Sequence, residues 1–185
     1  FRVPGIRLEV VVNNTEYIEN QLLNGELDIG LVEGDINHSD LKVETVIDDN
    51  LVVICGTNHP LCGKKTVTLE EVAGHNLILR EKGSGTRAQL EDLLRERGLR
   101  ADVTWECCNT EAVLNAVSNG YGVSVLSGRL VSDYGRRHQV WAAEISDATV
   151  NRGFSLVYHK DKLMNREMVA FCDICREFGK GELHI

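Results

Sequence analysis

Asn14-Thr15-Glu16-Tyr17-Ile18-Glu19-Asn20-Gln21-Leu22-Leu23-Asn24-Gly25, continued by Glu26-Leu27-Asp28-Ile29-Gly30-Leu31, has a partial second copy 95 residues further along the chain. Asn109-Thr110-Glu111 repeats Asn14-Thr15-Glu16, and Asn115, Asn119, Gly120 and Leu126 repeat Asn20, Asn24, Gly25 and Leu31. An Asn before an apolar-periodic run is a helix N-cap, and Asn-Gly after it is a helix stop, because Gly takes the left-handed turn at no steric cost. Both copies therefore read strand, capped helix, Asn-Gly, strand. Two generic βαβ units with shared caps would give the same pattern. The sharper reading is two lobes of like topology, each presenting a helix N-terminus at the carboxyl edge of its sheet, where open α/β sheets bind ligands.

The flanking sequence continues this alternation, the mark of an α/β fold. Strands are expected at Ile6–Val12, Leu27–Leu31, Leu51–Cys55, Leu77–Leu79, Val103–Cys107, Val123–Leu126 and Phe154–Tyr158. Helices are expected at Thr15–Asn24, Thr68–Ala73, Thr86–Arg97, Thr110–Asn119 and Asn165–Phe178. Thr68 with Glu71 forms a capping box. Gly25, Gly98, Gly120 and Gly179 each follow a helix, where a left-handed cap favours Gly.

A third helix start lies in Arg80-Glu81-Lys82-Gly83-Ser84-Gly85-Thr86-Arg87. Its glycines let a ligand approach the backbone, Ser84 and Thr86 supply hydroxyls, and Lys82 and Arg87 supply charge. A plain capped turn with solvated charges would read the same way. No Lys-Ser/Thr follows at the spacing of a phosphate-cradling P-loop.

Composition narrows the function classes. Hydrophobic residues are 43% and charged residues 26%, as in ordinary globular chains. The net charge of -8 argues against a surface that grips nucleic acid directly. The longest apolar runs fall far short of a bilayer span. Cys55, Cys62, Cys107, Cys108, Cys172 and Cys175 form no disulfide framework; free thiols, and a reducing cytoplasm, are expected. Cys172-x-x-Cys175 reads as a core face with Met168, Phe171 and Phe178. His59 before Pro60 reads as a turn residue. No nucleophile elbow, zinc-binding helix or complete dinucleotide fingerprint occurs. No catalytic residue, metal or cofactor is expected.

Several stretches, in this order, resemble the effector-binding domain of LysR-type transcriptional regulators: residues 4–10 (Pro-Gly-Ile-Arg-Leu-Glu-Val), 25–31 (Gly-Glu-Leu-Asp-Ile-Gly-Leu), His59-Pro60-Leu61, Gly83-Ser84-Gly85-Thr86-Arg87 and residues 120–126 (Gly-Tyr-Gly-Val-Ser-Val-Leu). The resemblance implies two Rossmann-like lobes joined by two crossover strands, as in type II periplasmic binding proteins. Lobe one would take residues 1–50 and 150–185, and lobe two residues 51–149. The chain would return near Val150. The first strand and helix of lobe one would be lacking, as would an N-terminal winged helix-turn-helix that alone contacts DNA. It also implies a homodimer or homotetramer and no membrane partner.

The implied partner is a small-molecule effector, anionic or zwitterionic, held in the interlobe cleft. Carried over position by position, its site would use Thr15, Val32 and Glu33 on the first lobe. On the second it would use Lys82, Ser84, Gly85, Thr86, Asn109 and Thr110, with Ser127 after strand Val123–Leu126. A solute-binding protein of a transporter, with the same two-lobed fold, is the alternative.

Overall fold

A computed structural model describes residues 7–148 and 152–181. The chain divides into two compact units, one made of the chain up to Asp48 and from Gly153 onward, the other of Asp49–Arg152. The expected return point, Val150, lies outside the described residues, as does Ile6.

The first unit contains helix α1 (Thr15–Leu23), strand β1 (Gly30–Glu33), strands β2 (Leu41–Asp49) and β9 (Arg152–His159) apart from their end residues Asp49 and Arg152, and helix α6 (Arg166–Gly179). Its sheet has the order β1-β9-β2, with β1 antiparallel to β9 in the register Gly30 to Val157 through Glu33 to Phe154. Ile18 and Leu22 sit four apart on one face of α1 and bury against Val32, Ile36, Leu41 and Val157. Gly179 ends α6 where a Cβ would lie 1.7 Å from the Val46 carbonyl oxygen, so only Gly permits this closeness.

The second unit contains β3 (Leu51–Gly56), β4 (Thr66–Val67), α2 (Leu69–Ala73), β5 (Leu77–Arg80), α3 (Gly85–Glu96), β6 (Val103–Cys107), α4 (Thr110–Ser118), β7 (Ser124–Ser127), α5 (Gly128–His138) and β8 (Val140–Ile145). β3 is buried at every position, as a central strand covered on both faces must be. It runs antiparallel to β7 and β8, and β4 lies parallel to β8. β5 pairs parallel with β6, and Leu77 bridges parallel to Val123 just before β7. One core packs around Val53, Leu77, Leu90, Leu94 and Val125; a second packs around Ile54, Ile78, Val113, Val117 and Leu126. Alternate residues of β3, β5 and β7 thus feed opposite faces, the period-2 rule of a strand.

The helix, the Asn-Gly stop and the following strand of the internal repeat are present in both copies. Asn14 and Asn109 are both N-caps, accepting from Tyr17 N at 3.0 Å and Ala112 N at 2.8 Å. α1 and α4 are each nine residues long, and Gly25 and Gly120 follow with φ of 72° and 80°. The Thr68–Glu71 capping box is also present.

Other expectations are corrected. Residues 7–12 form no strand; Leu8, Val10, Val11 and Val12 are exposed, and β structure requires a neighbour to take its backbone hydrogen bonds. The expected strand Leu27–Leu31 begins only at Gly30, because Glu26 N and Leu27 N still close onto Gln21 O behind α1. Gly179 is helical rather than a cap, and the left-handed turn falls on Gly181. Phe171 and Phe178 lie at the surface while Met168 and Cys172 are buried, so the core face of α6 is narrower than its apolar pattern. Strands β2, β4 and β8 and helix α5 were not anticipated.

Candidate functional site

In the second unit, β5, β6 and the approach to β7 run parallel, so their carboxyl ends share one sheet edge. α3 starts after β5, α4 after β6 and α5 after β7. Three helix N-termini therefore converge on that edge, each with backbone N–H groups that have no partner within the helix. The contact between Glu81 N and Cys107 O, 3.1 Å, ties the two strand ends together. This edge gathers Ser84, Gly85, Thr86, Asn109, Thr110 and Ser127, all of the second unit's expected site residues except Lys82, which stands exposed on the turn before α3.

The start of α3 differs from the other caps. Ser84 is the N-cap residue but makes no side-chain cap bond; its hydroxyl is buried and has no hydrogen-bond partner. A buried polar atom left this way costs about 1–3 kcal/mol. Thr86 is 4% exposed, and its Oγ accepts from Arg152 Nη1 at 3.0 Å. Arg87, expected to supply charge at this helix start, is committed elsewhere. Its guanidinium donates to Glu91, Glu106 and the Arg80 carbonyl, clamping α3 to β5 and β6. Arg80 in turn grips Glu81 with two bonds of 2.8 and 3.0 Å.

A buried ion pair lies beside Thr86. Arg152 Nε donates to Asp49 Oδ2 at 2.8 Å, and both side chains are 0% exposed. Asp49 Oδ1 accepts from Ser127 Oγ at 3.0 Å and from Arg129 N at 3.4 Å. Ser127 Oγ also accepts from Leu130 N at 3.3 Å, so it caps α5 as Asn109 caps α4. Sequence reading missed Asp49 and Arg152, which lie 103 residues apart. The only local hint was the acid run Asp48-Asp49 between two apolar runs.

In the first unit, Thr15 is the residue after the N-cap, and its hydroxyl donates to the Glu33 carbonyl at 2.9 Å. That bond joins the start of α1 to the end of β1. Val32 is buried and Glu33 half-buried, and both lie within β1 rather than after it.

Cysteine and histidine groups elsewhere take structural roles. All six cysteines are free. Burial pushes the Cys55 thiol up to about 11 and lifts Cys107, Cys172 and Cys175, the reverse of a reactive thiolate. His59 accepts from Leu61 N within its turn and stacks edge-on against His75 at 4.5 Å; burial first, then His75, holds its pKa down. Among the described residues no three His, Cys, Asp or Glu side chains are grouped to hold a metal, and no helix is long and apolar enough to cross a membrane.

Comparison with known proteins agrees with this architecture. The family described as the LysR substrate binding domain matches residues 2–180. The HTH-type transcriptional regulator CysL of Bacillus subtilis is 30% identical over 155 residues, 84% of this chain and 52% of that protein. The regulator YeiE of Escherichia coli K12 is 32% identical over 177 residues, 93% of this chain and 58% of that protein. The chain thus spans little more than half the length of these relatives. The Synechocystis PCC6803 CcmR regulatory domain, solved in complex with 2-PG, superposes with a TM-score of 0.87 at 29% identity, covering 97% of this chain and 86% of that one. These relatives are transcriptional regulators, not enzymes, and nothing in them supports the transporter alternative. The fold is accordingly the α/β, type II periplasmic-binding-protein-like fold of regulator effector domains, and the chain belongs to the LysR substrate-binding domain family.

Proposed function

We propose that the chain senses a small anionic or zwitterionic metabolite at the sheet edge where α3, α4 and α5 begin, and that Ser84, Gly85 and Thr86 make its central contacts. The observation that carries this is the start of α3. A buried hydroxyl without a protein partner, Ser84, stands at a helix N-terminus beside the buried hydroxyl of Thr86. Helix N-termini favour carboxylate, phosphate or sulfate groups through their N–H donors and positive dipole end. The CcmR domain's complex with 2-PG supports this ligand class. Lys82 would add an exposed positive charge at the mouth, Asn109 and Thr110 a neighbouring helix start, and Ser127 a link to the Asp49–Arg152 pair. Thr15, Val32 and Glu33 are proposed as further effector contacts from the first unit.

The whole protein would act as a cytoplasmic homodimer or homotetramer that binds DNA through a separate N-terminal domain, with the effector altering that binding. The net charge of -8 on this chain supports assigning DNA contact to another domain. Operator binding by the full-length protein, followed by fluorescence anisotropy at fixed salt, tests the scheme. Addition of the effector should change operator affinity or the retarded complex in wild type, and the change should disappear in Thr86→Ala. Operator binding by the isolated chain would contradict it.

A further inference from the structure

We infer that Asp49 and Arg152 are positioning residues that couple the start of α3 to both points where the chain passes between the two units. Asp49 ends β2 and Arg152 opens β9, and the unit boundaries fall at Asp48/Asp49 and Arg152/Gly153. The pair therefore fastens the outgoing chain to the returning chain. It also reaches two helix starts: α3 through Thr86 Oγ and α5 through Ser127 Oγ and Arg129 N.

Two physical points make this more than a structural pair. First, a fully desolvated ion pair gains little stability over well-packed apolar residues of the same size, but removing either partner leaves a buried charge unpaired, so the pair holds its geometry firmly. Here it fixes an unusual set of partners, two chain crossings and two helix starts, through four side-chain oxygens: both of Asp49 and those of Thr86 and Ser127. Second, a guanidinium only donates. Thr86 Oγ must accept from Arg152, so the hydroxyl proton is directed at an acceptor. Arg152 thus sets the polarity with which Thr86 meets its surroundings, and an acceptor group such as a carboxylate or phosphate oxygen suits it. Movement of Thr86 toward such a group would be felt at Arg152 and hence at β2 and β9. The coupling depends on geometry alone; its use by a ligand rests on the effector reading of α3 proposed above.

Hydrogen exchange of the full chain, read over Leu41–Asp49 and Arg152–His159, tests it with and without 2-PG. Arg152→Lys keeps the cation but loses the planar fork that spans Asp49 and Thr86, and Thr86→Val replaces the hydroxyl by a methyl of similar size. Without ligand, Thr86→Val should speed exchange at the start of β9 by about tenfold, the size of a ~1.4 kcal/mol coupling. Thr86→Ser should behave as wild type. Unchanged exchange at β9 in Thr86→Val overturns the coupling, whatever Arg152→Lys does to folding. With 2-PG, wild type should gain protection in both segments, and Arg152→Lys should bind more weakly and gain none there. Equal protection in Arg152→Lys would overturn the positioning role. If Thr86→Ala binds 2-PG as wild type does, or wild type does not bind it, the failure belongs to the effector reading, and the ligand-free result stands on its own.

Discussion

Three helix-starting residues that look alike in sequence do different work. Asn14 and Asn109 spend their side chains on caps, so Asn14→Ala or Asn109→Ala should cost about 1 kcal/mol of stability, the usual value of a lost cap. Ser84 occupies the same position on α3 without making that bond. Ser84→Ala should therefore leave the melting temperature unchanged or slightly higher, while weakening the effector. Thermal melts of the three variants, with a binding isotherm for the third, check this; a loss at Ser84 as large as at Asn109 would show that its hydroxyl is a cap after all. Thr86→Ala should weaken an anionic effector roughly 5- to 150-fold, from about 1–3 kcal/mol for a buried group left unpaired. Thr15→Ala should lower stability by about 0.5–1.5 kcal/mol, because its hydroxyl holds the Glu33 carbonyl.

At the scale of elements, what the sequence made legible was what is written locally. Helix caps, the capping box and the Asn-Gly stops lie within four residues of the structure they specify, so α1, α2 and α4 were readable to within a residue or two, as were the starts of α3 and α4 after their strands. What was not legible depends on distant partners. β2 carries Glu44, Asp48 and Asp49, charges that mask its strand pattern, and distant Arg176 and Arg152 neutralise two of them. α5 has an internal Gly, and beside its local cap from Ser127 its Arg129 N is held by Asp49 from β2. Residues 7–12 have a strand's composition, but composition alone does not supply a neighbouring strand. Gly179 fits only because α6 lies against the backbone of β2 at Val46. Gly179→Ala should destabilise the protein by about 1–3 kcal/mol through overpacking, although Ala is the better helix former. A rise in melting temperature would mean that α6 does not dock there.

Across the whole molecule, the ionisable groups set a stability plateau. Lys160 holds the Asp40 carboxyl below its ordinary 3.8, and Arg176 and Lys64 hold Glu44 and Glu71 below 4.5. A carboxyl lowered by folding contributes stability above its unfolded value, and that stability is lost as pH falls toward the folded one. His59 is held below 6.5 by burial, so the unfolded chain takes up its proton first as pH drops. The buried thiols are raised above 9.0, so the unfolded chain ionises first as pH rises. Stability should therefore be greatest between pH 6.5 and 9.0 and fall on both sides. Glu44→Gln should flatten the acid limb; an acid limb identical to wild type would place the loss elsewhere. The central claim, that the start of α3 receives an anionic effector, is tested most directly by mapping backbone amide shifts during titration with 2-PG and other carboxylate-, phosphate- or sulfate-bearing metabolites. For a metabolite that binds, the account predicts the largest shifts at Ser84–Arg87, with affinity reduced in Thr86→Ala. A metabolite that binds with wild-type affinity to Thr86→Ala, and whose largest shifts lie away from that helix start, would contradict it.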